Sequence, residues 1–399
     1  MISDSELEGL REHVDASLPR FLADLEHLVN VDCGSYTKAG VDQIGAWVAS
    51  HLRELGADVT VAAHATLGDT VVARLRGSGD KKAMLVGHID TVFDDGTAAA
   101  RPFSIRDGRA YGPGVDDMKG GLLAGLYALR AIRSLQSDAG INDWLPFETL
   151  VFVANPDEEL GSPSSLETIR GFAETADLAL VLEAARENGD IVSARKGIGD
   201  FVIRIEGRAA HAGVEPERGR SAIVEAAHKT LALTALNGRW PGVTVNVGVM
   251  RGGMRPNIIA EWAELEIDLR ATSRETMEAA AAAIAEIAEH STGPDVTATL
   301  TRRAWWWPME KTAATATLAE MATDLAGRLG FELHDTSTGG ASDANTTSAA
   351  GAPTLDGLGP VGGNAHAPSE YMELDSIVPR TTLLAALLLS VSRQPSLRR

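Results

Sequence analysis

The sequence predicts an α/β protein. Its main body is a catalytic-type three-layer α/β/α domain around a central, mostly parallel sheet, with a smaller ferredoxin-like α+β domain inserted into it. Two observations carry this. Ala83–Gly87, Leu150–Ala154 and Leu178–Leu182 are apolar runs with helical stretches between them, as strands covered on both faces of a parallel sheet require. Near Ser193 the texture changes, and elements then follow in the order β-α-β-β-α-β over about a hundred residues, which is the ferredoxin-like signature. The predicted boundaries are 1–194 plus 306–399 for the large domain and 195–305 for the insert.

Taken in order, Leu7, Leu10, Val14, Leu18, Phe21, Leu25 and Leu28 step at helical spacing through 5–30, and a second helix covers 40–55. Ala57–Ala63 and Thr70–Leu75 read as strands. After Gly120-Gly121, Leu122, Leu126, Leu129 and Ile132 open a further helix. In the insert, Phe201–Glu206, Val243–Met250, Ala260–Leu269 and Val296–Leu300 are strands, with helices over 219–237 and 273–291. Trp305, Trp306 and Trp307 mark the return to α/β texture, as packing at a hinge or as a wall for an aromatic substrate. Helices over 312–329 and 374–393 then flank a strand at Pro353–Asp356.

The 399 residues carry a formal net charge of −19, which repels nucleic-acid phosphates and anionic membrane surfaces. Neither is expected as a partner. Cys33 is the sole cysteine, so an intramolecular disulfide and a thiolate metal site are excluded; it reads as a small apolar filler. Met1–Leu10 is acidic and lacks a basic stretch followed by an apolar run, and the purely apolar runs are short, so a cytoplasmic protein is expected.

The chemistry gathers at the ends of the apolar runs. Asp116 and Asp117 sit between a Gly112-Pro113-Gly114 turn and the Gly120-Gly121 helix entry, where α/β sheets place ligands. His88-Ile89-Asp90 follows the first buried run; residues two apart share a strand face, and a metal-binding histidine commonly donates its second N–H to a carboxylate. Asp157-Glu158-Glu159 follows the second run. Adjacent side chains point apart, so one carboxylate can ligate a metal while its neighbour accepts a proton. Glu183 ends the third run, and His366 lies in a Gly-rich loop with Glu370 four residues on. Each has a plain structural alternative: solvated loop acids, a core histidine beside a capping aspartate, an acidic helix start. Carboxylate and imidazole donors without sulfur suit zinc, with cobalt or manganese as substitutes.

Together these stretches resemble the di-zinc exopeptidase and deacylase family that includes bacterial glutamate carboxypeptidase of the carboxypeptidase G type, aminoacylase and succinyl-diaminopimelate desuccinylase. The similarity runs through Gly87–Thr91, Gly112–Gly121, Asp157–Gly161, Gly207–Gly213, Gly252–Asn257, Asp268–Arg270, Gly339–Asn345 and the His366 loop. The resemblance implies two zinc ions, one held by His88 and Glu183, the other by Glu159 and His366, with Asp117 bridging. It further implies Glu158 as general base, Asp90 orienting His88, a cis bond at Asp117–Met118, and His211 contacting substrate, often from the partner subunit. Asn257, Arg270 and Gly340 match substrate-binding positions, with Arg suited to a bidentate grip on a free carboxylate. Asp116 either supports the ligands or is solvated, and Pro113, often arginine in the wider family, leans towards the carboxypeptidase G branch. The implied reaction is hydrolysis of an amide beside a free carboxylate in a small peptide, releasing a C-terminal residue such as glutamate, by a homodimer joined through the insert. N-acyl-amino-acid deacylation is the alternative, and a non-catalytic metal-stabilised binding protein a remote one.

Overall fold

Residues 83–87 contain no polar side chain, so a strand made of them has to be covered on both faces. In the computed structural model, which describes residues 2–398, it is. The chain forms two compact units: Met1–Ser193 with Lys311–Ser337 and Ser342–Arg399, and Ala194–Glu310 with Thr338–Ala341.

The larger unit begins with α1 (Asp4–Val29) and α2 (Lys38–Glu54). Ser3 starts α1 with a capping box: its hydroxyl accepts the Glu6 N–H and the Glu6 carboxylate accepts the Ser3 N–H. Then come β1 (Asp58–Ala62), β2 (Thr70–Arg76), β3 (Lys82–His88), the short α3 (Thr97–Ala100), β4 (Ser104–Arg106), β5 (Arg109–Tyr111) and α4 (Gly121–Asp138). They are followed by β6 (Thr149–Asn155), α5 (Leu166–Ala173), β7 (Leu178–Val181) and β8 (Ile191–Arg195).

The smaller unit holds β9 (Gly197–Glu206), α6 (Ala222–Thr234), β10 (Thr244–Gly252), β11 (Trp262–Ala271), α7 (Arg274–Glu289) and β12 (Thr297–Trp306). Its sheet runs β10-β11-β9-β12, every neighbour antiparallel, so the β-α-β-β-α-β order has folded as a ferredoxin-like sheet. The last strand is longer than its apolar stretch predicts: Trp305 and Trp306 belong to it. Trp305 and Trp307 pack edge to face, 5.1 Å between ring centroids, on the core of this unit.

The chain returns with α8 (Ala313–Leu329), β13 (Asp335–Thr338), α9 (Asp343–Ala349), β14 (Thr354–Leu355), β15 (Gly362–Gly363), β16 (Tyr371–Glu373) and α10 (Ile377–Ser392). The main sheet runs β1-β2-β6-β3-β7-β14. Pairings are antiparallel on the β1 side and parallel across β6-β3-β7-β14. Ala83 and Leu85 of β3 join a core shared with α1, α4 and α10. Met84 and Val86, on the other face by alternation, are equally buried, and α5 and α9 pack against β3 and β7. By length and composition α10 could cross a membrane, but Leu374–Ser392 is 78% buried within the fold and acts as a core helix.

A second, small antiparallel sheet, β15-β16-β5-β4, was not legible in the sequence. It is two or three residues wide, too short for a periodic pattern, yet it positions half of the site.

Candidate metal centre

Strand register brings the first ligand candidates level. β3 lies between β6 and β7, all parallel, with His88 opposite Asn155 and Val86 opposite Val181. Residues just past these ends, among them Glu158, Glu159 and Glu183, therefore project from one edge of the sheet, the edge at which open α/β sheets hold ligands.

The small sheet delivers the rest. β5 pairs with β16 (Tyr111 opposite Tyr371), and β16 pairs with β15 (Gly363 opposite Tyr371). The loop after β5 and the His366 loop thus lie side by side, although about 250 residues separate them in sequence. Gly114 turns with φ +72°, and at Gly121 a Cβ would stand 1.7 Å from the Leu182 carbonyl oxygen, so the helix entry crosses the end of β7 where no side chain fits. Asp117–Met118 is cis. His366 and Asn364 hold left-handed backbone, φ +64° and +58°, a conformation non-glycine residues adopt where surroundings impose it.

Glu370, singled out by sequence only as a neighbour of His366, holds these loops together. Its buried carboxylate accepts N–H groups from Gly114 (3.0 Å), Asp116 (2.9 Å) and Asp117 (3.0 Å). Burial is the main cause that pushes its pKa up to about 7, against those three donors. Asp116 is buried, not solvated, and burial followed by repulsion from Glu370 and Asp117 lifts its pKa well above the carboxylate range.

The candidate ligands converge in two sets that share Asp117: His88, Asp117 and Glu183, and Asp117, Glu159 and His366, with the donor atoms of each set within 4.8 Å of one another. The two oxygens of Asp117 face different rings, Oδ1 at 2.9 Å from His88 Nε2 and Oδ2 at 3.1 Å from His366 Nε2. Glu159 Oε2 is 3.2 Å from His366 Nε2, and Glu183 Oε1 is 3.8 Å from His88 Nε2. Two imidazole nitrogens and three carboxylates without sulfur fit zinc. Glu159 Oε1, buried and without a hydrogen bond, is a donor atom still available to a cation.

The field has one sign. Burial disfavours the His88 imidazolium, but Asp117, Asp90 and Glu183 outweigh it and raise the pKa well above the usual value. Hydrogen bonds to Asp117 and Glu159 push His366 up to about 10. Burial raises Asp117, yet His366 and His88 overcome it and hold that carboxyl below its ordinary range. A field that favours protons on both rings also attracts divalent cations.

The supporting shell differs in one detail from expectation. His88 Nδ1 lies 3.0 Å from the backbone carbonyl of Asp90 and 3.4 Å from its carboxylate, so the nearer partner is main chain. The Asp90 carboxylate accepts the Ser35 hydroxyl (2.6 Å) and the N–H groups of Glu158 (3.2 Å) and Glu159 (3.3 Å). It therefore couples the His88 strand to the Glu158-Glu159 turn, and Ser35, which no sequence pattern marked, braces it. Glu158 is buried; desolvation, then repulsion from Glu183, Asp343 and Glu159, raises its pKa strongly against the attraction of His88.

The remaining candidates lie in the smaller unit. The His211 stretch pairs with the Asn257 stretch: Ala212 N–H donates to the Asn257 carbonyl at 3.0 Å, and His211 bridges Ile258. His211 is exposed, its Nδ1 accepting the Gly213 N–H at 3.2 Å. Arg270 Nε is held by Asp268 at 2.9 and 3.0 Å, and Arg195 Nη1 donates to the Gly340 carbonyl at 3.1 Å.

Residues 84–390 match peptidase family M20/M25/M40. The chain belongs to this family. It is accordingly a metal-dependent hydrolase of the peptidase and amidohydrolase kind. Among M20 relatives it is 31% identical over 379 residues to carboxypeptidase G2 of Pseudomonas sp. (strain RS-16), covering 93% of this chain and 89% of that one. It is 29% identical over 277 residues to acetylornithine deacetylase of Proteus mirabilis (strain HI4320), covering 64% of this chain and 68% of that enzyme. The fold is similar to that of aminopeptidase PepT from Bacillus cereus, with a TM-score of 0.76 at 24% identity over 94% of this chain and 99% of that one.

Proposed function

We propose that the protein is a carboxypeptidase that cleaves an amide beside a free carboxylate and releases a C-terminal amino acid, with glutamate the first choice. The carrying observation is that the two ligand sets share Asp117 in a chain whose similarity to carboxypeptidase G2 runs nearly end to end. His88 and Glu183 would hold one divalent ion, Glu159 and His366 the other, and Asp117 both; zinc is preferred, with cobalt or manganese able to substitute. Such ions supply a Lewis acid that polarises the carbonyl and acidifies water. A Glu158 carboxylate oxygen takes the proton from the attacking water and passes it to the leaving amine nitrogen. Asp90, through Glu158 N–H and Glu159 N–H, keeps the two side chains in their separate roles.

Asn257, Arg270 and Gly340 are assigned to the free carboxylate, with Arg270 exchanging Asp268 for substrate, and His211 to the carbonyl side. The smaller unit acts as a lid and joins two copies. The open edge of β10 and the exposed Ile223, Val224, Leu231, Met250 and Met254 support that assignment. A cytoplasmic location accords with a chain whose one cysteine, Cys33, is buried and free.

Deacylation of an N-acyl-amino acid is the second reading, favoured by the acetylornithine deacetylase likeness. Metal analysis of the purified protein, with hydrolysis of C-terminal Glu, Asp and neutral dipeptides alongside acetyl-amino acids, separates the two. About two zinc per chain with release of one C-terminal residue supports the carboxypeptidase; preference for acetyl-amino acids supports the deacylase. No stoichiometric metal and no activity restored by zinc or cobalt overturns both.

A further inference from the structure

We propose that the larger unit binds a small organic anion in a groove at the end of the main sheet opposite the candidate metal centre. The occupant pairs a phosphate or carboxylate group with an apolar body the size of an aromatic ring. None of the groove's residues takes part in the hydrolysis described above. Strand register builds the groove. Arg76, Thr149 and Lys82 stand level across β2, β6 and β3, and Arg74, Val151 and Met84 form the next row on the same face. Three cations thus share one face where β6 and β3 begin. α5 packs on this face and stops at Ala173. Beside its end lies a cavity of about 240 Å³, lined by these side chains, Phe172 and Glu148. From Lys82, β3 runs roughly 20 Å to His88, so the groove is remote from the ligand sets.

The charges are arranged for an anion. Arg74 lies over the Phe172 ring at 4.9 Å, and its Nη1 is 3.4 Å from the Thr60 hydroxyl, so the guanidinium is already oriented. Among the described residues, no carboxylate forms an ion pair with Arg74 or Arg76. Lys82 reaches Glu148 only at 3.9 Å, with side chains 44% and 55% exposed. The other acceptors nearby are engaged. Asp177 accepts the Lys82 N–H at 2.8 Å and the Ser396 hydroxyl at 2.6 Å. Arg398 donates to the carbonyls of Ala173 and Ala176 just past α5.

An incoming anion therefore meets three cations and one loosely held carboxylate. The chain as a whole carries −19, but acids beyond about 10 Å are screened by salt, and the local cations decide. Guanidinium groups suit phosphate and carboxylate, which accept two parallel hydrogen bonds. The apolar half of the occupant follows from the floor. Met84 and Val151 are buried there, with Phe172 half-buried beside them, a surface on which a ring can rest. The volume lies just under the range of drug-sized sites, which limits the body to a small ring.

The test titrates full-length, zinc-loaded protein with phenylphosphonate, inorganic phosphate and benzyl alcohol in a calorimeter. Wild type is compared with Arg76→Glu, whose side chain is exposed, and with Phe172→Ala, circular dichroism being matched throughout. Wild type should bind phenylphosphonate with a Kd of about 1 mM or tighter, inorganic phosphate more weakly, and benzyl alcohol without saturation. Arg76→Glu should weaken phenylphosphonate about tenfold or more and leave kcat and KM for hydrolysis unchanged. Phe172→Ala should reduce the preference for phenylphosphonate over phosphate about fivefold. An anion held by the metal ions binds all three proteins alike, so the difference between variants isolates the groove. Equal affinity in wild type and Arg76→Glu, or no saturable binding of phenylphosphonate, overturns the site; the cations then only cover the apolar floor with their stems. An unchanged preference in a folded Phe172→Ala overturns the ring half of the proposal.

Discussion

Glu158 and Glu159 are neighbours in the chain with different surroundings. Glu159 faces His366 at 3.2 Å, while the carboxyl of Glu158 is buried among the charges of His88, Glu183 and Asp343. Glu158→Gln keeps the shape and removes the proton acceptor. Turnover should fall at least about a hundredfold, with metal content and circular dichroism unchanged. Glu370 is a different kind of residue, fixing the backbone that carries Asp117. Glu370→Ala leaves three N–H groups without their acceptor and should weaken metal binding by about 10–100-fold. Glu370→Gln, which keeps one acceptor oxygen, should recover part of it. A competitive chelator titration reads both, and equal affinity in Glu370→Ala and wild type would remove Glu370 from the metal centre.

At the scale of elements, the end of α7 depends on a buried pair from α6. Lys229 Nζ donates to the carbonyls of Ile287 (2.8 Å), Ala288 (3.0 Å) and His290 (2.7 Å), and Glu225 accepts the N–H groups of Thr292 and Gly293. The two side chains meet at 3.2 Å, each 2% exposed. Lys229→Ala strands a buried carboxylate and three carbonyls and should cost about 3–5 kcal/mol in denaturant unfolding. Burial raises the Glu225 pKa, but the Thr292 bonds and Lys229 outweigh it, so the folded pKa lies below the unfolded one. The sign follows: this stabilisation is complete above the unfolded glutamate pKa of about 4.3 and is lost as pH falls through the folded value. Melting of the wild type should therefore drop below about pH 4.3 more steeply than that of a Glu225→Gln variant.

Across the whole molecule, the ligand sets tie together strand ends and loops from residue 88 to residue 366. Any cation bound there stabilises the folded chain over the unfolded one, by about 2.7 kcal/mol at a hundredfold excess over Kd. Treatment with a chelator should lower the melting temperature by several degrees and abolish hydrolysis, and zinc or cobalt should restore both. A melting temperature indifferent to chelator would mean that the cluster holds no metal.

Much of this was legible because it rests on local rules. Short apolar runs of about five residues, separated by longer helical patterns, fit covered strands, so Ala83–Gly87, Leu150–Ala154 and Leu178–Leu182 declared the sheet, and the residues just after them declared its working edge. Family-specific spacing then pointed to Asp117 rather than Asp116. Tertiary structure alone decided the rest. The small sheet that seats the His366 loop beside Asp117 is made of strands two or three residues long, whose pairing partners are set by folding across about 250 residues and leave no period to read. Glu370 and Ser35 escaped for the same reason: they act through backbone N–H groups and a buried carboxylate remote in sequence, and a hydrogen bond between distant segments exists only once the chain has closed.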